Sequence, residues 1–462
     1  MQFRHSIVVV LTLLLAVAGM ADPTPPIQPQ IQETPLPPAV TLPAPPQQRL
    51  SDVPNRPLTA LEAAEIALRH QPALLSAAAA VEAAMAAVQQ AKSHLGPSVV
   101  LNAGYTAVPV ANGSAAGSSA GFQFGATVDQ LLYDFNHTRD LVRQSFAVQQ
   151  SAQATLTQSQ SDVVYQTKQA FYTYAEDLAL IKVNAENVQN SQNHLALSQA
   201  QVAAGTGLPS DVVTAQTAVA NAIFNLNLAQ NTASIAKVSL AVLMGIDPRT
   251  PILPADSVEH ELSTADLNAQ VAQALIQRPE VLAAQATLQS TLYALGAAKS
   301  SNAPTIGAFA GWDSHGLAVT MGAEQSLGIG ITLSWTPYNS GLTKGQINQA
   351  KANIVTAQAQ LTSTQQSVIS DVSQAYLNLM TAQQRVTTAD AEVKNAQEAL
   401  DMATGRFKAG IGVFLDVLDD ESALTTALTD QVNAQTGVQL SRAAFAHALY
   451  EDQLAPPVPP AP

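Results

Sequence analysis

"ALRHQPALLSAAAAVEAAMAAVQQAKSHLGPSVV", residues 67–100, and "ALIQRPEVLAAQATLQSTLYALGAAKSSNAPTIG", residues 274–307, are two spellings of one segment. At an offset of 207 they align Pro72 with Pro279, Pro97 with Pro304, and Ala91-Lys92 with Ala298-Lys299. Further along the offset is 205: "QAFYTY" from Gln169 matches "QAYLNL" from Gln374, and "AAGTGLPSDVV" from Ala203 matches "KAGIGVFLDVL" from Lys408. The change of two falls between Tyr105 and Tyr133, where a loop absorbs it. A chain that repeats itself is read unit by unit, and the two units run over about 58–250 and 262–450.

What lies outside the units speaks of compartment. Met1 to His5 carries one Arg, Ile7 to Ala18 is apolar, and Gly19-Met20-Ala21 offers small residues for cleavage. Residues 1–21 therefore read as a secretory signal peptide; the alternative is a short N-terminal anchor. No later run is an uninterrupted apolar stretch of the roughly 20 residues a membrane helix needs. Residues 22–57 hold twelve prolines and no periodicity, and 451–462 end in "APPVPPAP"; both read as disordered or polyproline-like.

Composition excludes several classes. The chain has no cysteine, hence no disulfide framework, thiolate site or N-terminal lipid on cysteine. Its net charge is −14 with only 20 Lys and Arg, which argues against nucleic acid or an anionic membrane surface as partner. There is no phosphate loop, metal-ligand cluster or nucleophile elbow, so neither an enzyme nor a cofactor is expected. His94, His137, His194 and His315 are scattered and expected to be exposed.

Within each unit the expected order is helix, two strands, very long helix, shorter helix. Thr138 to Ala204 contains neither Gly nor Pro, and Thr343 to Ala409 has only Gly345 and Gly405 near its ends. At 1.5 Å per residue each spans roughly 100 Å, too long for a compact domain. Heptads run through Tyr174, Ile181, Val188, Leu195 and Val202, and again through Leu379, Val386, Val393, Leu400 and Phe407. They continue with Val212, Val219 and Leu226, and with Val417 and Leu424 before Gln431 breaks the pattern. Sustained heptads mean coiled-coil packing.

The strands argue against a merely fibrous coiled coil. In 98–108, Val99, Leu101, Ala103 and Tyr105 alternate with small or polar residues; in 121–132, Phe122, Phe124, Ala126 and Val128 do. The second unit repeats the phase with Ile306, Ala308, Ala310 and Trp312, and with Leu327, Ile329, Ile331, Leu333 and Trp335; Phe309 is an exception. Period two over about ten residues is the transmembrane β-barrel pattern, with Tyr105, Trp312 and Trp335 near the interfaces. A half-buried soluble sheet is the alternative, but strands this rich in Gly and Ala make a poor soluble core. Four strands cannot close a membrane barrel, so copies must combine; two copies reach the minimum of eight and three give twelve.

The duplicated plan, the strand-to-helix passages "LLYDFNHTRDLV" (131–142) and "WTPYNSGLTKGQI" (335–347), and "RFKAGIGVFLDVLDDESAL" (406–424) together resemble the outer membrane factors, the TolC-type exit ducts of tripartite efflux pumps and type I secretion systems. The resemblance covers Leu58 to Tyr450. It implies a mainly α fold with a β-barrel portion: a homotrimer whose twelve strands form one barrel in outer membrane lipid, continued by a periplasmic α-helical tunnel. Helix pairs at the far end would close like an iris and meet a periplasmic adaptor (membrane fusion protein) and an inner-membrane transporter.

The glycine bends Gly205, Gly207, Gly410 and Gly412 then belong at the periplasmic tip, as adaptor docking points by resemblance. Asp416 and Asp419 are three apart and share a helix face, whereas Asp420 points about 100° away. Threefold symmetry would make the pair a gate ring of six carboxylates that attracts cations and repels anions. The plainer reading is that acids in a first helical turn favour its dipole, which suffices for Asp211, the repeat partner of Asp416. Relatives tie the entrance with a tyrosine and an arginine; the matching positions here are Phe407 and Gly412, so closure would rest on Phe407 packing and the aspartates.

Overall fold

The structure is a computed structural model that describes residues 56–108, 119–255, 266–316 and 324–452. The expected signal peptide, nearly all of the 22–57 segment and the proline-rich end from 453 lie outside the described residues.

Chain order is α1 (Ala60–His70), α2 (Pro72–Ser93), β1 (Ser98–Val108), β2 (Ser119–Tyr133), α3 (His137–Ala203) and α4 (Pro209–Leu243). It then recurs as α5 (Leu267–Gln277), α6 (Pro279–Ser300), β3 (Thr305–Gly316), β4 (Glu324–Ser334), α7 (Leu342–Lys408) and α8 (Phe414–Leu449). One expectation is corrected: the helical arm before each strand pair is two helices. Pro72 and Pro279 each occupy a first helical turn, and the residues before them, Gln71 and Arg278, are extended. Proline supplies no N–H and forbids an α conformation to its predecessor, so the axis must break there. A capping box, with Thr59 accepting from the Glu62 N–H and Glu62 accepting from the Thr59 N–H, starts α1.

Among the described helices, α2 alone is long and apolar enough to cross a membrane by hydropathy. Its apolarity is mostly alanine, interrupted by Glu82, and it packs along α3.

The four strands form one antiparallel sheet in the order β1-β2-β3-β4, so the two units meet at β2–β3. Register carries single-faced rows across the whole sheet: Leu101, Ala126, Trp312 and Leu327 in one, Val99, Val128, Ala310 and Ile329 in the next. These rows look outward; Leu101, Leu327 and Ile329 are 78, 76 and 80% exposed. The opposite face carries Asn102, Gly125, Asp313 and Ser326, then Val100, Thr127, Gly311 and Gly328. Phe309, the exception to the alternation, lies on this polar face against glycine: a Cβ at Gly330 would sit 2.7 Å from its ring. The ring fills space that two side chains would otherwise occupy. β1 and β4 each have one strand neighbour among the described residues, leaving two open edges.

Both long helices have 67 residues, roughly 100 Å at the helical rise. Their starts are shaped by left-handed residues, Phe135 and Asn136 before α3 and Ser340 and Gly341 before α7. Buried Asp134 caps the first by accepting from the Thr138 N–H at 2.7 Å. Half of the heptad seam was hidden. Leu379, Leu400 and Phe407 are buried as expected, but the intervening positions are alanines, of which Ala382, Ala389 and Ala403 are buried too. In α4, Ala215 and Ala222 are buried rather than Val212 and Val219, which are half-buried. Small residues let helix axes approach closely, so area is gained from backbone as well as side chains.

Two core clusters hold the middle. One joins Leu58, Phe171, Tyr174, Leu240, Met244 and Ile252; the other joins Val281, Val368, Val372, Leu379 and Phe445. Leu58 pairs with Pro254 in a bridge that ties the beginning of the first unit to its end, and the Tyr174 hydroxyl donates to the Ile252 carbonyl at 3.2 Å. At the α5–α6 joint, buried Arg278 pairs with Glu280 at 2.7 Å and Asp371 at 3.2 Å.

Candidate functional site

The far ends of α3 and α7 turn back through the same geometry. Gly205 and Gly410 have φ of +76° and +71°. In the first turn the N–H groups of Thr206 and Gly207 both donate to the Gln201 carbonyl; in the second, those of Ile411 and Gly412 both donate to that of Arg406. The left-handed residue redirects the chain so that the orphan carbonyls of the helix end are satisfied. The second glycine of each turn serves a different need. A Cβ on Gly207 would lie 2.9 Å from Val202 N, and on Gly412 3.0 Å from Phe407 N. All four glycines thus have a conformational reason to be there.

Behind the turns, Ala215, Leu400, Ala403, Phe407, Phe414, Val417 and Leu424 form a third core cluster. Phe407 is 6% exposed and its ring lies 5.3 Å from that of Phe414. The structure therefore gathers Phe407 into the tip core. It leaves Asp416, in the first turn of α8, and Asp419 exposed on the other side of that helix, with Asp420 half-buried.

The buried side of α8 holds a group that sequence reading passed over. Glu421 is 4% exposed, and its Oε2 lies 3.5 Å from Nε2 of His194 on α3. Burial pushes its carboxyl up to about 7. His194, expected to be exposed, has a side chain only 13% exposed. Burial, then the nearby Lys408 charge, holds its imidazole below its usual value. His137 is likewise half-buried, its Nδ1 2.9 Å from the Ala297 carbonyl. A signal for Glu421 existed: it stands four after Val417 and three before Leu424, on the apolar stripe. A cavity of about 640 Å³ opens beside the pair, lined by Asn190, His194, Asp401, Thr404, Lys408 and Glu421 among others.

A sheet with an apolar outer face, open edges and 67-residue helices running from one end defines the protomer of an outer-membrane channel. The profile of the Outer membrane efflux protein family matches residues 63–246 and 271–449. The chain belongs to that family: it is an outer-membrane exit duct for efflux or secretion, with a helical tunnel on the periplasmic side. It is similar to Protein CyaE of Bordetella pertussis, 26% identical over 330 residues, covering 70% of this chain and 69% of that one. Outer membrane protein TolC of Escherichia coli K12 is 23% identical over 383 residues, covering 79 and 76%. In fold, the outer membrane protein VceC of Vibrio cholerae superposes with a TM-score of 0.76 at 20% identity, over 84% of this chain and 95% of that one. These relatives are channel proteins, not enzymes.

Proposed function

We propose that three copies of this chain join at their β1 and β4 edges into one twelve-stranded barrel, and that substrates leave through it. The observation that carries this is the sheet itself. Its outward face is apolar, its inward face polar, and open edges are not tolerated in lipid. The units 58–250 and 262–450 would each supply two strands and the helices below them. Residues 1–21 would direct export and be removed, with 22–57 and 451–462 outside the duct. No catalysis or cofactor is called for.

At the periplasmic end the helix hairpins form the gate. Phe407 packs it from within, and Asp416 and Asp419, exposed on α8, supply a ring of six carboxylates that draws cations to the entrance. The turns at Gly205, Gly207, Gly410 and Gly412 present the surface that a periplasmic adaptor grips, and the adaptor links the duct to an inner-membrane transporter. Exposed Leu208, Ile411 and Val413 on these turns give the adaptor apolar contacts.

Single-channel current across planar bilayers tests both statements. Wild type should give small cation-selective openings blocked by divalent cations from the periplasmic side. Asp416→Asn with Asp419→Asn should abolish selectivity and block. Channels indifferent to the substitutions would reduce the aspartates to helix-start residues while leaving the duct. Absence of both current and a detergent-extractable trimer would sink the duct.

A further inference from the structure

The tip contact between Glu421 and His194 joins the two units, since α3 belongs to the first and α8 to the second. It has no counterpart in the duplicated crossing, where the positions 205 residues away are Gln216 and Ala399. The Oε1 atom of Glu421 is buried without a hydrogen-bond partner, beside the cavity. Other charged groups on the cavity wall are Glu186 from α3 and Asp401 and Lys408 from α7. An ionised carboxylate in such a place is far more costly than a protonated one.

We propose that Glu421 and His194 form a proton-operated latch between the units, shut while Glu421 holds a proton and loosened when that proton leaves to water. No other bond forms or breaks. The latch rests on the reading of the tip as the gate, and adds to it a response to pH on the periplasmic side.

The direction follows from what closing does to each group. Closing buries Glu421 and moves its carboxyl from the ordinary 4.5 up to about 7, so between those values the shut tip binds a proton that the open tip has lost. Acid therefore favours the shut tip and alkali the open one. His194 opposes this, because burial and Lys408 lower its basicity and closing expels a proton from it below about 6.5. The larger shift is that of Glu421, so its sense prevails. At tenfold per unit the ceiling for Glu421 alone is about 300-fold per protomer in the open-to-shut ratio.

With no native cysteine, spin labels can be placed at Gln192→Cys on α3 and Ser422→Cys on α8, both exposed positions. The detergent-extracted protein, diluted with unlabelled chain, is titrated while the label separation and the bilayer current are recorded. The separation should lengthen as pH rises from 4.5 toward about 7, the window set by the burial of Glu421, and level off above it. Glu421→Gln should abolish the alkaline loosening and reverse the response, leaving only the opposite dependence on His194. His194→Gln should steepen the wild-type response. A separation constant between about pH 4.5 and 7.5 in wild type, or an alkaline loosening that survives Glu421→Gln, overturns the latch. Should Glu421→Gln fail to assemble, the wild-type titration and His194→Gln still decide. A pH-dependent separation with unchanging current supports the latch and refutes the tip as gate. The converse refutes the latch and keeps the gate.

Discussion

Replacing Phe407 by alanine should loosen the tip while sparing the rest of the chain. The ring is 6% exposed and meets Phe414 at 5.3 Å, so its removal takes away nearly a full buried aromatic side chain. Such truncations cost about 3–5 kcal/mol. The other two large clusters, around Phe171 and Phe445, share no residue with the tip cluster, so the cost falls locally. A loss of about 3–4 kcal/mol multiplies the local open-to-shut ratio by roughly 10²–10³. Hydrogen exchange is the direct assay: amides over 400–424 should lose protection by that factor, those over 368–379 should not, and resting current in bilayers should rise. Met402→Ala, at a side chain 64% exposed, is the control and should change protection by less than about threefold. If Phe407→Ala leaves protection of 400–424 and the resting current as in wild type, the claim that this ring holds the tip shut is wrong.

Two further outcomes follow from the same structure. Gly410, at φ +71°, should lose about 1–2 kcal/mol of hairpin stability on substitution by alanine and less by asparagine, read as faster proteolytic nicking of the turn. His447 is held neutral: its Nδ1 faces the Ser161 hydroxyl at 3.0 Å, its ring stacks on Tyr165, and Asp162 lies 3.4 Å from Nε2, with Arg278, Glu280 and Asp371 around it. Burial, then Arg278, lowers its imidazole from 6.5 to about 4. Unfolded chain therefore takes up a proton that the folded chain refuses between those values, and stability falls as pH drops through them, by up to about 3 kcal/mol. Thermal unfolding should show that loss in wild type and a flatter profile in His447→Gln.

Much of this architecture is legible in the sequence. Pro-free stretches of 67 residues, with glycine absent from the first and confined near the ends of the second, leave the backbone no reason to stop, and the observed helices end within one residue of the expected limits. Alternation in the strands was legible because lipid imposes it on one face only. What escaped reading shares a physical cause: these features depend on a neighbour. Pro72 and Pro279 align between the units, and each breaks the helix through the residue before it, Gln71 or Arg278, which it holds in an extended conformation. Alanines such as Ala382 and Ala389 carry no pattern of their own in a chain so rich in alanine. Only the approach of a second helix makes them core. Phe309 breaks the alternation because Gly328 and Gly330 on the next strand leave room for its ring.

The duplication itself explains why the scaffold was easier to read than the site. Whatever two units share is needed twice, and what a fold needs twice is mostly backbone: helix length, strand phase, a left-handed residue at each turn. Gly205 and Gly410 are of this kind, as are the cores built on Phe171 and Phe445. The tip chemistry lies where the copies disagree. Phe407 stands where the first unit has Val202, Gly412 and Asp416 repeat Gly207 and Asp211, but Asp419 and Glu421 repeat Thr214 and Gln216. His194 answers Glu421 from a position that the second unit fills with Ala399. A pair that is complementary across units must be different in each, so comparison of the copies hides it by construction. Burial exposes it, because an acid and a histidine that both leave water on one helix contact have to answer to each other.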